Sequence, residues 1–249
     1  MPRKDRLLMQ RAYDEIKRRI ITLELEPGQR IDDYQLSVEL AFSRTPVRDA
    51  IFLLGAEGLV DIRTKAGFIV RPLDLIDITH LFEAHVVLAK AVARLAARRA
   101  TAEDIERLSR QAATVATAIE QRDHLAITAA NAELHRLEAA AARNQHLESM
   151  AESIHDQGQR LAYLCFGGGG DGEWGQLDDH FGAVCRHHDE MIAALTAHDA
   201  DEAERVATAH VRLFRERVQS YLDSEAIKGF TLGDGDFAVA GATDGNGRA

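Results

Sequence analysis

The sequence predicts a mainly α protein: an N-terminal winged helix-turn-helix followed by a C-terminal antiparallel all-α bundle. Three observations carry that expectation. Pro2, Pro27, Pro46 and Pro72 are the four prolines of the 249-residue chain, and the alanine-rich remainder has none. Interior proline breaks helices, so the second part is free to form long ones. The run Ser43-Arg44-Thr45-Pro46-Val47-Arg48-Asp49-Ala50-Ile51 opens a helix with cations at its front. Between Glu57 and Arg71 two short β-prone runs flank a glycine-bearing turn. The expected division is 1–72, 76–224 and a disordered tail over 228–249.

Ala12 to Leu23 repeats apolar residues at Tyr13, Ile16, Ile20 and Leu23, a helical period. Ahead of it, Arg3, Lys4, Arg6 and Arg11 read as a loose arm that adds nonspecific phosphate attraction. Glu26-Pro27-Gly28 supplies turn chemistry. A short helix over Tyr34–Leu40 turns Leu36 and Leu40 inward, and Ala41-Phe42 leads directly into Ser43. Ser43 suits an N-cap, and Pro46 is tolerated in the first turn, where its missing N–H has no intrahelical partner. Val47, Ala50, Ile51 and Leu54 form an apolar stripe at helical spacing, while Arg44, Thr45 and Arg48 occupy the helix front. Two helices joined by a tight turn make a helix-turn-helix. Forked guanidiniums and a hydroxyl at the front of the second helix suit guanine edges and phosphates in a DNA groove; a surface helix that starts with arginines is the plainer alternative. Gly58 suits a left-handed C-cap. Leu59–Arg63 and Phe68–Arg71 then form a hairpin whose tip, Thr64-Lys65-Ala66-Gly67, sets Lys65 and Gly67 against a neighbouring phosphate or minor groove.

Charge divides at the same boundary. Up to Pro72 there are 13 Lys/Arg against 11 Asp/Glu, and beyond it 17 against 29. The first part is only mildly basic, so DNA affinity has to come from a local cluster. Charges interrupt every apolar window before the roughly 18–20 residues of a membrane span. Cys165 and Cys185 form no CxxC pair and read as reduced thiols of a cytoplasmic protein.

In the second part, apolar-face positions from Ile78 to Leu95 mark a broadly buried helix over about 76–99. Further helical stretches run over about 102–121, 124–142, 145–166, 178–197 and 200–223, with Gly167–Gly175 as a loop and Asp199-Ala200-Asp201 as a cap. His188 and His210 lie about equally far from the turn at Ala197–Asp201, so antiparallel helices bring them to one level at roughly 1.5 Å rise per residue. His135 on a third helix, with Asn131 one turn before it, completes a candidate set for a divalent transition metal such as Zn²⁺, Ni²⁺ or Mn²⁺. The alternative is three ordinary helix histidines.

The ordered residues Pro27-Gly28, Leu36, Leu40, Ser43–Arg48, Leu54, Glu57–Val60 and Gly67–Val70 resemble the GntR family of bacterial transcription regulators over about 12–71. Around His135, His188-x-x-Met191-Ile192-x-x-Leu195, Asp199 and Ala209-His210, the remainder resembles the FCD effector domain of the FadR-type branch. The resemblance implies a homodimer on a palindromic double-stranded operator and a small-molecule effector, an organic carboxylate, beside a metal held by Asn131, His135, His188 and His210. Three positions depart from the family. Tyr34 stands where relatives carry a DNA-touching arginine, Asn131 offers an amide in place of a carboxylate, and His85 replaces an effector-pairing arginine. His85 is then either a weaker, pH-dependent ligand contact or a core-facing histidine, with Arg160 and Gln157 available to contribute and His155 able to line the pocket. Two other functions compete. A metal-dependent hydrolase would use the open metal position, but no HExxH, GxSxG or P-loop is present. An architectural DNA binder would use the bundle only to dimerise.

Overall fold

The computed structural model describes residues 3–64, 67–167 and 174–223. Three sequence expectations lie outside them: Lys65 at the wing tip, most of the Gly167–Gly175 loop, and the tail over 228–249.

The N-terminal head contains α1 (Arg3–Ile21), β1 (Arg30–Ile31), α2 (Asp33–Glu39), α3 (Arg44–Ala56), β2 (Val60–Arg63) and β3 (Gly67–Val70). Its antiparallel sheet has the order β1-β3-β2, with Arg30 opposite Ile69 and Val60 opposite Val70. Two features differ from expectation. The basic N-terminal residues belong to α1 and are not a loose arm, because no glycine or proline interrupts the run into Ala12. The strand β1 is additional; two residues are too few to show a period, and only Ile31 turns inward. Asp32 caps α2 by accepting from the N–H groups of Tyr34 and Gln35 at 2.9 and 3.0 Å. Ser43 holds the N-cap position of α3 with extended backbone but makes no side-chain cap bond. Gly58 ends α3 at φ +79°; its N–H reaches Gly55 O and the Leu59 N–H reaches Leu54 O, the paired closure of a Schellman turn. Ile16, Ile20, Val47, Ile51, Leu54 and Val70 are fully buried. At about 1.5–3 kcal/mol for each such side chain, this small core holds the head together.

Behind it lie α4 (Leu75–Arg99), α5 (Ala102–Glu120), α6 (His124–Ala141), α7 (Gln145–Gly167), α8 (Trp174–Thr196) and α9 (Ala200–Leu222). The helix α8 begins four residues before the expected start. Thr101 and Asp104 form a reciprocal capping box on α5, and Asp199 caps α9 through the N–H groups of Asp201 and Glu202. The α5–α6 and α8–α9 turns each place a non-glycine residue in the left-handed region, Arg122 at φ +56° and His198 at φ +54°. Both turns carry Schellman bonds: Asp123 N–H to Ala118 O, and Asp199 N–H to Ala194 O. His198 Nδ1 also lies 2.7 Å from Ala97 O, tying the α8–α9 turn to α4. This turn sets the relative height of α8 and α9.

The bundle has two apolar clusters. One contains Leu88, Val92, Leu108, Leu134, Leu195 and Val206; the other contains Ile78, Phe82, Leu161, Phe181, Val211 and Val218. The histidines lie at the seam between them.

Candidate DNA interface and candidate metal centre

Arg44, Thr45 and Arg48 are exposed at the front of α3. Docking of the Val47, Ala50, Ile51 and Leu54 stripe on the head core points this front outward. Asp33, at the start of α2, joins the two arginines. Arg44 donates to it from Nε and Nη2, both at 3.0 Å, and Arg48 donates from Nη1 at 3.1 Å. The hydrogen bonds from Arg44 hold the Asp33 carboxyl below the usual carboxylate range. A guanidinium has five N–H donors, so both arginines keep donors beyond those used here. The Arg48 guanidinium also lies over the rings of Phe52 and Phe68, at 5.9 and 5.5 Å. The same groove is lined by Arg30, Tyr34, Arg63 and Gly67. Asp33, Arg30 and Arg63 were not legible as site residues. Asp33 is eleven residues from Arg44, and only the tight turn between the helices brings them together.

In the bundle, His135 from α6, His188 from α8 and His210 from α9 place ligand nitrogens within 4.8 Å of one another. The Nε2 atoms of His135 and His210 are 3.2 Å apart. Zn–N bonds of 2.0–2.1 Å in a tetrahedral shell put neighbouring nitrogens about 3.3 Å apart, so this pair is spaced as two ligands of one ion would be. His188 is 4% exposed. Neither of its ring nitrogens has a protein hydrogen-bond partner, and neither do His210 Nδ1 and Asn131 Oδ1. Buried polar atoms are normally partnered, and a divalent cation would accept one lone pair from each ring and one from the amide oxygen. The donor set fits such an ion. Glu138, absent from the expected set, lies with Oε2 3.2 Å from His135 Nδ1. A carboxylate there favours a proton on Nδ1 and leaves the Nε2 lone pair facing the cluster. Its signal in the sequence was the i,i+3 step from His135. Glu133 instead pairs with Arg136 at 2.9 Å, on the other face.

Burial pushes His85 and His188 down to about 3, and holds His155 and His210 well below the ordinary imidazole range, with neighbouring imidazoles adding to the effect. The neutral ring is the ligand form.

Two adjoining cavities, of about 40 and 60 Å³, flank the cluster and share His85, His135, His155 and His210. Asn131 lines the larger, together with Gln159, Phe181 and Phe214. His155 lines both, stacked on His135 with ring centroids 4.8 Å apart. His180 and His187, which the sequence did not single out, line one cavity each. Arg160 is not where a ligand contact was expected. It is 2% exposed and donates from Nη1 to Arg71 O at 2.6 Å, tying α7 to the segment that leaves β3. Gln157 likewise turns to Ser153, beside Gly58 of the head. Both lie on the face of α7 that meets the head, whereas His155 and Gln159 lie on the cavity side.

A charged node joins the head to the bundle. Lys17 of α1 contacts Tyr13 Oη at 2.8 Å, Asp156 of α7 at 2.8 Å and Glu57 at the end of α3 at 3.4 Å. These contacts match its three ammonium donors. Asp156 Oδ1 accepts from Arg136 at 3.1 Å and from Gln159 Nε2 at 3.0 Å. Arg136 follows His135 in sequence and Gln159 lines the larger cavity, so one carboxylate connects the head to the cavity wall.

The neutral histidines predict acid sensitivity. A histidine titrating near 6.5 when unfolded and near 3 when folded takes up its proton only in the unfolded chain between those values, so its contribution to stability is present above about pH 6.5 and is lost as pH falls. With chelator present, His85→Gln is expected to flatten the fall in unfolding free energy between pH 6 and pH 4, by about 1.4 kcal/mol per pH unit. Denaturant titrations across that window check this; an unchanged slope would show that His85 does not titrate on unfolding.

Both parts of the chain resemble known proteins. Residues 8–70 match the gntR family of bacterial regulatory proteins, and residues 80–213 match the FCD domain. The chain is 25% identical to the HTH-type transcriptional repressor RspR of Escherichia coli K12, over 84% of this chain and 88% of that protein. It is 27% identical to the HTH-type transcriptional regulator YdhC of Bacillus subtilis, over 61% and 67% respectively. Among solved structures, E. coli McbR/YncC has a similar fold, with a TM-score of 0.71 at 18% identity, covering 86% of this chain and 97% of that one. These families are transcriptional regulators and not enzymes. No helix among the described residues is long and apolar enough to cross a membrane. A winged helix-turn-helix head matched to gntR, continued by a bundle matched to FCD, makes this chain a member of the GntR family of transcriptional regulators, in its FadR-type, FCD-containing branch.

Proposed function

We propose that the chain is a ligand-responsive cytoplasmic regulator that binds a palindromic operator as a homodimer and senses a small carboxylate beside a divalent metal. The observation that carries this reading is the convergence within 4.8 Å of three imidazoles, His188 buried and His135 and His210 half-buried, behind a head that presents two arginines on one helix front. His135, His188 and His210 would hold Zn²⁺, Ni²⁺ or Mn²⁺, with Asn131 Oδ1 as an additional oxygen donor. A cation there gives an effector carboxylate its point of attachment, and His85 stands at the wall it would approach. Arg44, Thr45 and Arg48 would read base edges, and Lys65 and Gly67 would meet the backbone at the wing. Two half-sites about one DNA turn apart require two heads.

Coupling between the sites runs through Asp156. An effector alters operator affinity only if it favours one head arrangement over another. Movement of Gln159 at the cavity wall, or of Arg136 beside His135, changes what remains for Asp156 to offer Lys17, and so changes the seating of α1 and the end of α3.

Three outcomes are expected. Arg48→Ala is expected to remove sequence preference in selection from a randomised duplex pool while helicity and melting are retained; a retained consensus would displace α3 as the reading helix. Elemental analysis of untagged, chelator-free protein is expected to find near one metal per chain, falling sharply in His188→Ala together with a lower melting temperature, since a ligand of the folded state stabilises it. Metal-free wild type would leave an effector-insensitive DNA binder as the reading. Asp156→Asn leaves Lys17 with Glu57 and Arg136 with Glu133, so it is expected to cost about 2 kcal/mol and to abolish any dependence of operator affinity on added Zn²⁺. Glu133→Gln, on the exposed side of Arg136, should keep that dependence. Equal zinc responses in both variants would remove Asp156 from the path.

A further inference from the structure

The side chains of Arg44 and Arg48 are 55% and 44% exposed, whereas that of Asp33 between them is 12% exposed. Side chains this long keep many rotamers unless something holds them. Asp33 holds both. Its Oδ2 and Oδ1 accept from Nε and Nη2 of Arg44, each at 3.0 Å, and Oδ2 also accepts from Nη1 of Arg48 at 3.1 Å. The neighbouring Asp32 carboxylate is committed elsewhere, capping α2 through the N–H groups of Tyr34 and Gln35. On its other side the Arg48 guanidinium lies over Phe52 and Phe68.

The way Arg44 is held decides what it can still bind. A guanidinium offers two forks, one side-on through Nε and an Nη atom, the other end-on through both Nη atoms. Asp33 takes the side-on fork of Arg44 and leaves the end-on fork free. Such a fork matches the O6 and N7 acceptors of guanine, so a base contact and the bond to Asp33 are compatible. An arginine that swings to the DNA backbone instead gives up its bond to Asp33. The carboxylate is then left facing phosphates without a donor. Asp33 also offsets one of the two positive charges at the helix front, in a head with only 13 Lys/Arg against 11 Asp/Glu up to Pro72.

We propose that Asp33 is a positioning residue that sets the ratio of operator to non-operator affinity. It holds Arg44 and Arg48 for base edges and withholds them from the phosphate backbone. The inference rests on the proposed reading of DNA by α3 and adds to it the residue that makes the reading selective.

The test is selection from a randomised duplex pool with the full-length protein. Titrations of the selected duplex and of a scrambled duplex of equal length follow, between about 50 and 200 mM salt. Asp33→Asn is expected to bind the scrambled duplex more tightly and to steepen its salt slope by about 0.9, as one more phosphate contact does. The ratio of selected to scrambled affinity is expected to fall at least about tenfold, the order of discrimination that one well-held bidentate arginine supplies. Asp14→Asn removes the same charge from an exposed position on α1 outside this groove, and is expected to leave the ratio as it is in wild type. An equal fall in that variant makes the effect one of net charge and overturns the inference. An unchanged ratio in Asp33→Asn, whether both affinities rise together or fall together, overturns it too and leaves α3 as the reading helix. Wild type that selects no consensus removes the reading helix and the inference with it. Melting and helicity monitor the fold. Asp33→Ala removes the same contacts, keeps the Asp32 cap and suits a helical first turn, so it takes over if the asparagine variant unfolds. Loss of the fold in both makes Asp33 a structural residue and overturns the inference.

Discussion

Desolvation of imidazole is the constraint around which the bundle is organised. Each buried polar atom left without a partner costs about 1–3 kcal/mol, and His188 alone has two. Packing such groups at the seam between two apolar clusters is a poor arrangement for stability alone. It becomes a sound one if a cation occupies their common focus, because one ion answers several lone pairs at once and Glu138 holds the tautomer that faces it. The small side chains of α6, with Ala132, Ala139 and Ala141 buried, leave room for neighbouring helices to bring their histidines close.

The second organising element is Asp156, 4% exposed and surrounded by Lys17, Arg136 and Gln159. A single carboxylate there serves the head through Lys17 and the bundle through Arg136. Burial raises the Glu57 carboxyl, and Lys17 and the Tyr13 hydroxyl hold it back. Charges placed at a junction in this way specify how two units sit more than they strengthen the contact, since desolvation offsets much of the attraction. Arg160 adds a neutral-acceptor link at Arg71 O. Its burial, with Arg71 close by, lowers its own pKa to about 10, so it remains a cation at neutral pH.

On the DNA side, Asp33 does for the reading helix what Asp156 does for the junction. By bonding Arg44 and Arg48 together it lowers the local positive charge and restricts two long side chains before DNA arrives. In the proposed contact with DNA, restricting them in advance would reduce the ordering cost of binding and would favour base-directed contacts over loose phosphate attraction.

The order of elements was legible in the sequence because each is set by local chemistry. The stripe Val47, Ala50, Ile51 and Leu54 faces inward by its spacing, Gly58 suits the close of α3, and the proline-free, alanine-rich second part is free to run as long helices. The convergence of His135, His188 and His210 was legible as a possibility, because the turn at Ala197–Asp201 and a constant rise per residue fix relative height. Rotation about each helix axis was not, and it depends on how whole apolar faces interlock. That rotation turned Arg160 and Gln157 toward the head and brought His155 and Gln159 to the cavity. Asp33 with Arg44, and Lys17 with Asp156, are contacts between residues distant in sequence whose spacing has no period to detect. Local sequence therefore determined which elements form and which residues they carry. Only tertiary packing decided which of those residues meet, because the energy of meeting belongs to the assembled interior and to no single segment.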